Sequence, residues 1–207
     1  MATLNLQPNA TDGKDSYIIS SSPNTNGDGS NLHIGESSGG LRRTLIQFNL
    51  SSIPAGSTIN SATLSLYFYD YTVGGNRTIK VYRLKRVWVE NQVTWNEYAT
   101  GSAWQTAGAL GANDYDSTEV ASLVVTDTYP AWQAWTLSVA LVKEMISGGA
   151  FGNYGFLLID TTESGNTKLF RSSDDGGGTL NPKLDIDYTA PATATSSPRR
   201  TLLGVGI

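Results

Sequence analysis

Apolar and polar residues alternate with a period of two along most of this chain. In Thr44–Leu50, Ile46, Phe48 and Leu50 fall on one face. From Thr58 to Phe68, Ala62, Leu64, Leu66 and Phe68 alternate with Thr63, Ser65 and Tyr67. Ile79 and Val81 continue the pattern in Thr78–Leu84, where it is less clean. Gly155–Asp160 and Pro182–Tyr188 supply two more runs, the last with Leu184, Ile186 and Tyr188 against Lys183, Asp185 and Asp187. Such alternation predicts strands with one buried and one wet face. Trp135, Leu137 and Val139 extend one more alternating face, expected to be buried.

Turn chemistry punctuates these runs. Ile53–Ser57 separates two strands, Gly74-Gly75-Asn76 is expected to close a hairpin, and Asn24–Gly29 and Asp174–Gly178 read as loops. Many short strands with this punctuation predict an all-β jelly-roll sandwich. One short helix is expected at Ser138–Ser147, with Ser138 as N-cap and Gly148-Gly149 as the stop. Val142, Met145 and Ile146 share its apolar face. Residues 1–11 read as an N-terminal strand or arm and residues 12–189 as the sandwich. Residues 190–207 read as a Pro/Ala/Thr/Ser linker and an extended C-terminal arm, in which Arg199 and Arg200 precede Leu202, Leu203, Val205 and Ile207.

Composition narrows the chemistry. The 207 residues suit one domain, and a chain of this size folds without staples. It has no cysteine, which excludes disulfides and thiolate metal sites. A formal net charge of -4 argues against a nucleic-acid partner, whose phosphates demand a basic face. No apolar run is long enough for a membrane helix. The start, MATLNLQPNATDG, lacks the basic and apolar regions of a signal peptide.

The run LRRTLIQFNLSSIPAGSTI at Leu41–Ile59, with ordered blocks on either side of it, resembles the DNRLRE family of modules. It is continued by Ser61–Leu66. Upstream stand Asp15–Ile18 and Pro23–Gly27; downstream come Val81–Arg83, Trp88–Glu90 with Thr94-Trp95, Asn153–Phe156, Phe170–Ser173 and Asn181–Leu184. The resemblance implies a jelly-roll β-sandwich, usually a non-catalytic module of secreted surface proteins. Some members look like carbohydrate-binding modules, and related modules occur in phage structural proteins.

Candidate chemistry is sparse. The single histidine, His33, lies in an expected strand with no local partners for a triad. The close acid pairs, Asp114 with Asp116 and Asp174 with Asp175, sit in polar or glycine-rich loops where acids are ordinary turn formers. Asn24, Asn26 and Asp28 set oxygens at alternate positions like the start of a calcium loop, but Gly35 stands where the closing acid belongs, with Glu36 beside it. The motif is partial, and no cofactor is expected. Because Trp88-x-Glu90 and Thr94-Trp95 are blocks of the family they resemble, the resemblance implies that Trp88, Glu90 and Trp95 sit in a core or packed loop. Tyr69, Tyr71, Tyr115, Tyr129 and Trp132 are the expected exposed aromatics and the candidates for stacking on a glycan.

These features predict a non-catalytic protein. The first expectation is a virion structural protein, such as a phage capsid decoration or tail component, made in the host cytoplasm. Its arm would add a strand to a neighbouring subunit, copies of itself included. The alternative is an extracellular carbohydrate-binding module for a polysaccharide or host-surface glycan.

Overall fold

The computed structural model describes residues 1–192 other than Asp28 and Gly148. The chain forms β1 (Ala2–Leu6), β2 (Asp15–Ile19), β3 (Asn31–Ser37), β4 (Gly40–Ile46), β5 (Thr58–Tyr71), β6 (Arg77–Leu84), β7 (Glu97–Ala99), β8 (Ser102–Ala103), β9 (Tyr115–Val125), β10 (Ala131–Thr136), α1 (Val139–Met145), β11 (Phe156–Asp160), β12 (Thr167–Arg171) and β13 (Lys183–Thr189). The architecture is the expected all-β sandwich with one short helix. The expected arm, including Arg199, Arg200, Leu202, Leu203, Val205 and Ile207, lies outside the described residues.

One antiparallel sheet runs β1-β13-β5-β12-β3-β4-β11-β6-β9, with β10 on the other edge of β5 and β2 on β4. The path curls back on itself. Inward side chains of β5 (Leu64, Leu66, Phe68), β12 (Phe170) and β13 (Leu184, Ile186) share one core with those of β4 (Ile46), β6 (Ile79, Val81) and β11 (Phe156, Leu158). One layer thus holds β1, β13, β5, β10, β12 and β3; the other holds β2, β4, β11, β6 and β9. The β3–β4 hairpin joins them. Its turn residues, Ser38 (φ 52°) and Gly39 (φ 72°), both occupy the left-handed region that a tight two-residue hairpin loop requires. That loop was not anticipated.

The expected hairpin at Gly74-Gly75-Asn76 is corrected. β5 pairs with β10, β12 and β13, whereas β6 pairs with β9 and β11. The turn instead carries the chain across the core, because Phe68 and Ile79 must face it from opposite layers. The run Thr44–Leu50 also differs: β4 ends at Ile46, yet Phe48 and Leu50 stay buried in the same core.

α1 packs against β5, with Val142 and Met145 buried. Ser138 occupies the N-cap position, but its side chain makes no capping hydrogen bond. Val139 departs from the alternating face of Trp135 and Leu137: it is 39 % exposed, because the helix begins there and the period of two ends. Arg83, itself buried, ties β6 to β9 through Asp116 (2.5 Å) and to α1 through Glu144 (2.6 Å) and the Leu141 carbonyl (3.1 Å).

A second core lies on the far side of β4 and β11. Ile18, Leu45, Leu84 and Leu157 are covered there by Trp88, Val93, Trp104 and Ala109, all from the long β6–β9 connection. Trp88 and Trp95 therefore belong to a packed loop, as expected. The Trp88 indole N–H donates to the Tyr154 carbonyl (3.0 Å), and that of Trp104 to the Thr94 carbonyl (3.0 Å). Arg43 fastens this connection from below. Its guanidinium bonds both Glu163 oxygens (2.7 and 2.9 Å) and the Gly108 carbonyl (2.6 Å), and lies over the Trp95 ring.

Candidate binding face

The two outer faces of the sandwich are unlike. The face of β4 and β11 is sealed by the β6–β9 connection. The face of β1, β13, β5 and β10 carries no such cover among the described residues. Residues directly opposite across an antiparallel pair point the same way, so register alone defines what this open face presents. Ala62, Leu64, Leu66 and Phe68 of β5 point inward, which leaves Ser61, Thr63, Ser65, Tyr67 and Tyr69 outward.

The rows follow. Thr3, Asp187 and Ser61 form one; Asn5, Asp185, Thr63 and Thr136 the next; Lys183, Ser65 and Ala134 the third; Tyr67 and Trp132 the fourth. The Thr3 hydroxyl (2.6 Å) and the Ser61 hydroxyl (3.0 Å) both donate to the Asp187 carboxylate and hold its pKa below the ordinary value. The Asn5 amide donates to Asp185 (2.6 Å). In the third row only the small residues Ser65 and Ala134 stand beside Lys183, whose ammonium lies 3.6 Å from the centroid of the Trp132 ring. Among the described residues Lys183 makes no ion pair. Tyr67 meets Trp132 edge to face at 5.4 Å. Tyr69 lies under the Arg171 guanidinium (4.0 Å), which Asp175 engages at 2.9 Å. Burial raises the Tyr69 pKa against the pull of Arg171.

Of the five expected aromatics, then, the structure brings Tyr69 and Trp132 to this face. Tyr71 does not join them. A bulge between β5 and β12, at Leu169/Phe170, breaks the alternation after Phe68. Tyr71 turns toward the main core, stacked near Phe68 and edge-on to Tyr129 at 5.1 Å. Tyr129 is 44 % exposed at that end of the sandwich. Tyr115 packs on the second core, edge-on to Tyr82. The five residues do not form one surface. Tyr67, Lys183 and Arg171 were missed as members. The signal for the first two was present: both stood on the polar side of their alternating runs.

The remaining candidates have structural partners. Asp114 is fully buried and accepts from the backbone N–H groups of Gln105, Thr106 and Gly111, each at 3.0 Å. Asp116 and Asp175 pair with Arg83 and Arg171. Desolvation pushes the Asp15 carboxyl strongly upward, to about 7, yet it is sealed at 2 % exposure. His33 stacks on Tyr17 (4.4 Å), and burial with nearby Arg42 lowers its pKa to about 4. Asn24 accepts from Asn96 (2.8 Å), and Asn26 donates to the carbonyls of Glu90 and Val93, each at 2.7 Å. Their side chains thus anchor the 24–27 turn to the long connection. Asp28, the third oxygen of that partial loop, lies outside the described residues. No group of three or more His, Cys, Asp or Glu among the described residues is arranged to hold a metal, and no helix there is long and apolar enough to cross a membrane.

No curated protein matches the chain. A family model does: that of the disaggregatase-related repeat domain, over residues 15–186. The match runs from β2 to β13 and includes both layers, both cores and most of the open face, so the chain belongs to the disaggregatase-related repeat domain family.

Proposed function

We propose that this domain is a non-catalytic carbohydrate-binding module, akin to the DNRLRE modules its blocks resemble, that engages an extended polysaccharide or surface glycan across the open face. The observation that carries this reading is the asymmetry of the two outer faces. The bare one combines Trp132, Tyr67 and Tyr69 with rows of hydroxyl, amide, carboxylate and ammonium groups. Aromatic rings stack on the apolar faces of sugars, and the polar rows match their hydroxyls. An extracellular setting suits such a partner. Affinity electrophoresis against a polysaccharide panel tests the reading. Trp132→Ala should weaken retention about tenfold or more, a loss of roughly 1.4 kcal/mol. Val124→Ala, on exposed β9 in the other layer, should leave it unchanged. Equal retention by all three proteins would refute the site.

A second reading is assembly: a virion structural protein, such as a capsid decoration or tail component, that docks on neighbouring subunits. Its support is the edge of β1, which among the described residues pairs with β13 alone and leaves one row of backbone groups for a further strand. Sedimentation of the full chain against one ending at Ala192 tests it. Assembly requires that the full chain associate and the shorter one do so less; two identical monomers would rule it out.

A further inference from the structure

Where the start of β2 meets the β12–β13 loop, three buried oxygens make no well-formed hydrogen bond: Asp15 Oδ1, Ser173 Oγ and Asn181 Oδ1. Their residues are 2 %, 2 % and 1 % exposed. They form one cluster. The Ser173 N–H donates to Asp15 Oδ2 (2.9 Å), and the Asn181 amide donates to the Ser173 carbonyl (3.2 Å) and the Pro8 carbonyl (2.9 Å). With its N–H groups so spent, Asn181 offers only Oδ1. Gly13 closes the corner: a Cβ there would lie 2.2 Å from Ser173 Oγ.

Orphaned buried oxygens are costly, and a carboxylate most of all. Burial raises the Asp15 pKa most; the Ser173 N–H and hydroxyl offset part of that, and the negative charges of Glu90 and Asp174 add to it. The Asp15 backbone N–H donates to Glu90 Oε1 at 2.6 Å, which brings that second carboxylate to the corner. An acidic corner lined by carboxylate, hydroxyl and amide oxygens, with no nitrogen or sulfur ligand, has the chemistry of a hard cation site. Calcium accepts this mixture and an irregular geometry, with water completing the shell. Magnesium demands a near-ideal octahedron and zinc prefers nitrogen and sulfur.

We propose that this corner binds a calcium ion through Asp15, Ser173 and Asn181. The ion clamps the start of β2 onto the loop before β13, and so stiffens the side of the sandwich from which β1 runs. It is distinct from the 24–28 turn, whose asparagines are engaged elsewhere.

The test uses the full chain, freed of metal by chelation and dialysed. Calcium chloride alone is titrated by calorimetry, and melting is followed with calcium or with magnesium chloride at matched ionic strength. A single saturable calcium site is expected, with a melting rise that magnesium does not reproduce. Asp15→Asn keeps the acceptor for Ser173 and should abolish both effects. Ser173→Ala, the milder variant, should weaken binding about tenfold. The proposal is overturned if the wild-type chain shows no calcium-specific heat or melting shift, the result expected of a water-filled corner. It is equally overturned if Asp15→Asn and Ser173→Ala respond like the wild type, or if Asn26→Ala alone removes the response.

Discussion

His33 illustrates how a single side chain can make stability depend on pH. Its folded pKa of about 4 lies below the ordinary 6.5, because burial and Arg42 disfavour the imidazolium. The folded state therefore binds this proton less readily than the unfolded chain. Its contribution is complete above pH 6.5 and is lost as pH falls toward 4, by at most about 3 kcal/mol. Melting curves between pH 7 and 4 should fall more steeply for the wild type than for His33→Gln; parallel curves would show that the shift is absent. Trp88 makes a different kind of contribution. It is 1 % exposed, fills the second core and satisfies its indole N–H. Trp88→Ala should cost about 3–5 kcal/mol in urea unfolding, and a loss under 1 kcal/mol would mean that the second core is not cooperative with the first.

Elements here depend on side chains that reach between them. The β6–β9 connection contributes only the short strands β7 and β8, so it is held down by packing and by Arg43. Removing one partner of a buried ion pair leaves the other unsatisfied. Arg43→Met should destabilise by about 3 kcal/mol, and the damage should be local. Hydrogen exchange should quicken around Trp95 and Gly108 more than in β5; uniform acceleration would contradict the anchoring role. Elements were also unevenly legible. β5 and β13 could be read because each has one buried and one wet face. β4, buried on both sides by the two cores, shows no alternation at Arg43–Ile46, so its extent and partners were obscured. β7 and β8 are too short to carry a pattern. The turn between β5 and β6 had hairpin chemistry, but turn residues state that a chain reverses, not which strand it then pairs with.

At the scale of the molecule, the proposed glycan binding rests on the difference between the covered outer face and the one left bare among the described residues. Binding through the bare face predicts that Lys183→Ala, beside Trp132, changes polysaccharide affinity while leaving the melting temperature within about 2 °C, as for a half-buried side chain without an ion pair among the described residues. A large melting loss with unchanged affinity would make Lys183 structural. Of the aromatic candidates, Tyr69 and Trp132 could be placed because strand alternation carried them. Tyr71 could not, since the bulge that turns it inward depends on β12, about a hundred residues away in sequence. Tyr115 and Trp132 looked equivalent along the chain and fall in opposite layers.

Local physics was enough to determine the all-β class, the short helix and the faces of the long strands. Each follows from side-chain periodicity or turn chemistry over a few neighbouring residues. Only the tertiary structure decided which strands pair, that two cores form, and that one outer face is covered while the other stays bare among the described residues. It also brought Asp15, Ser173 and Asn181 together. Those outcomes are long-range contacts, set by how inward faces from distant segments fill a shared core, and no local pattern encodes which partner fills it.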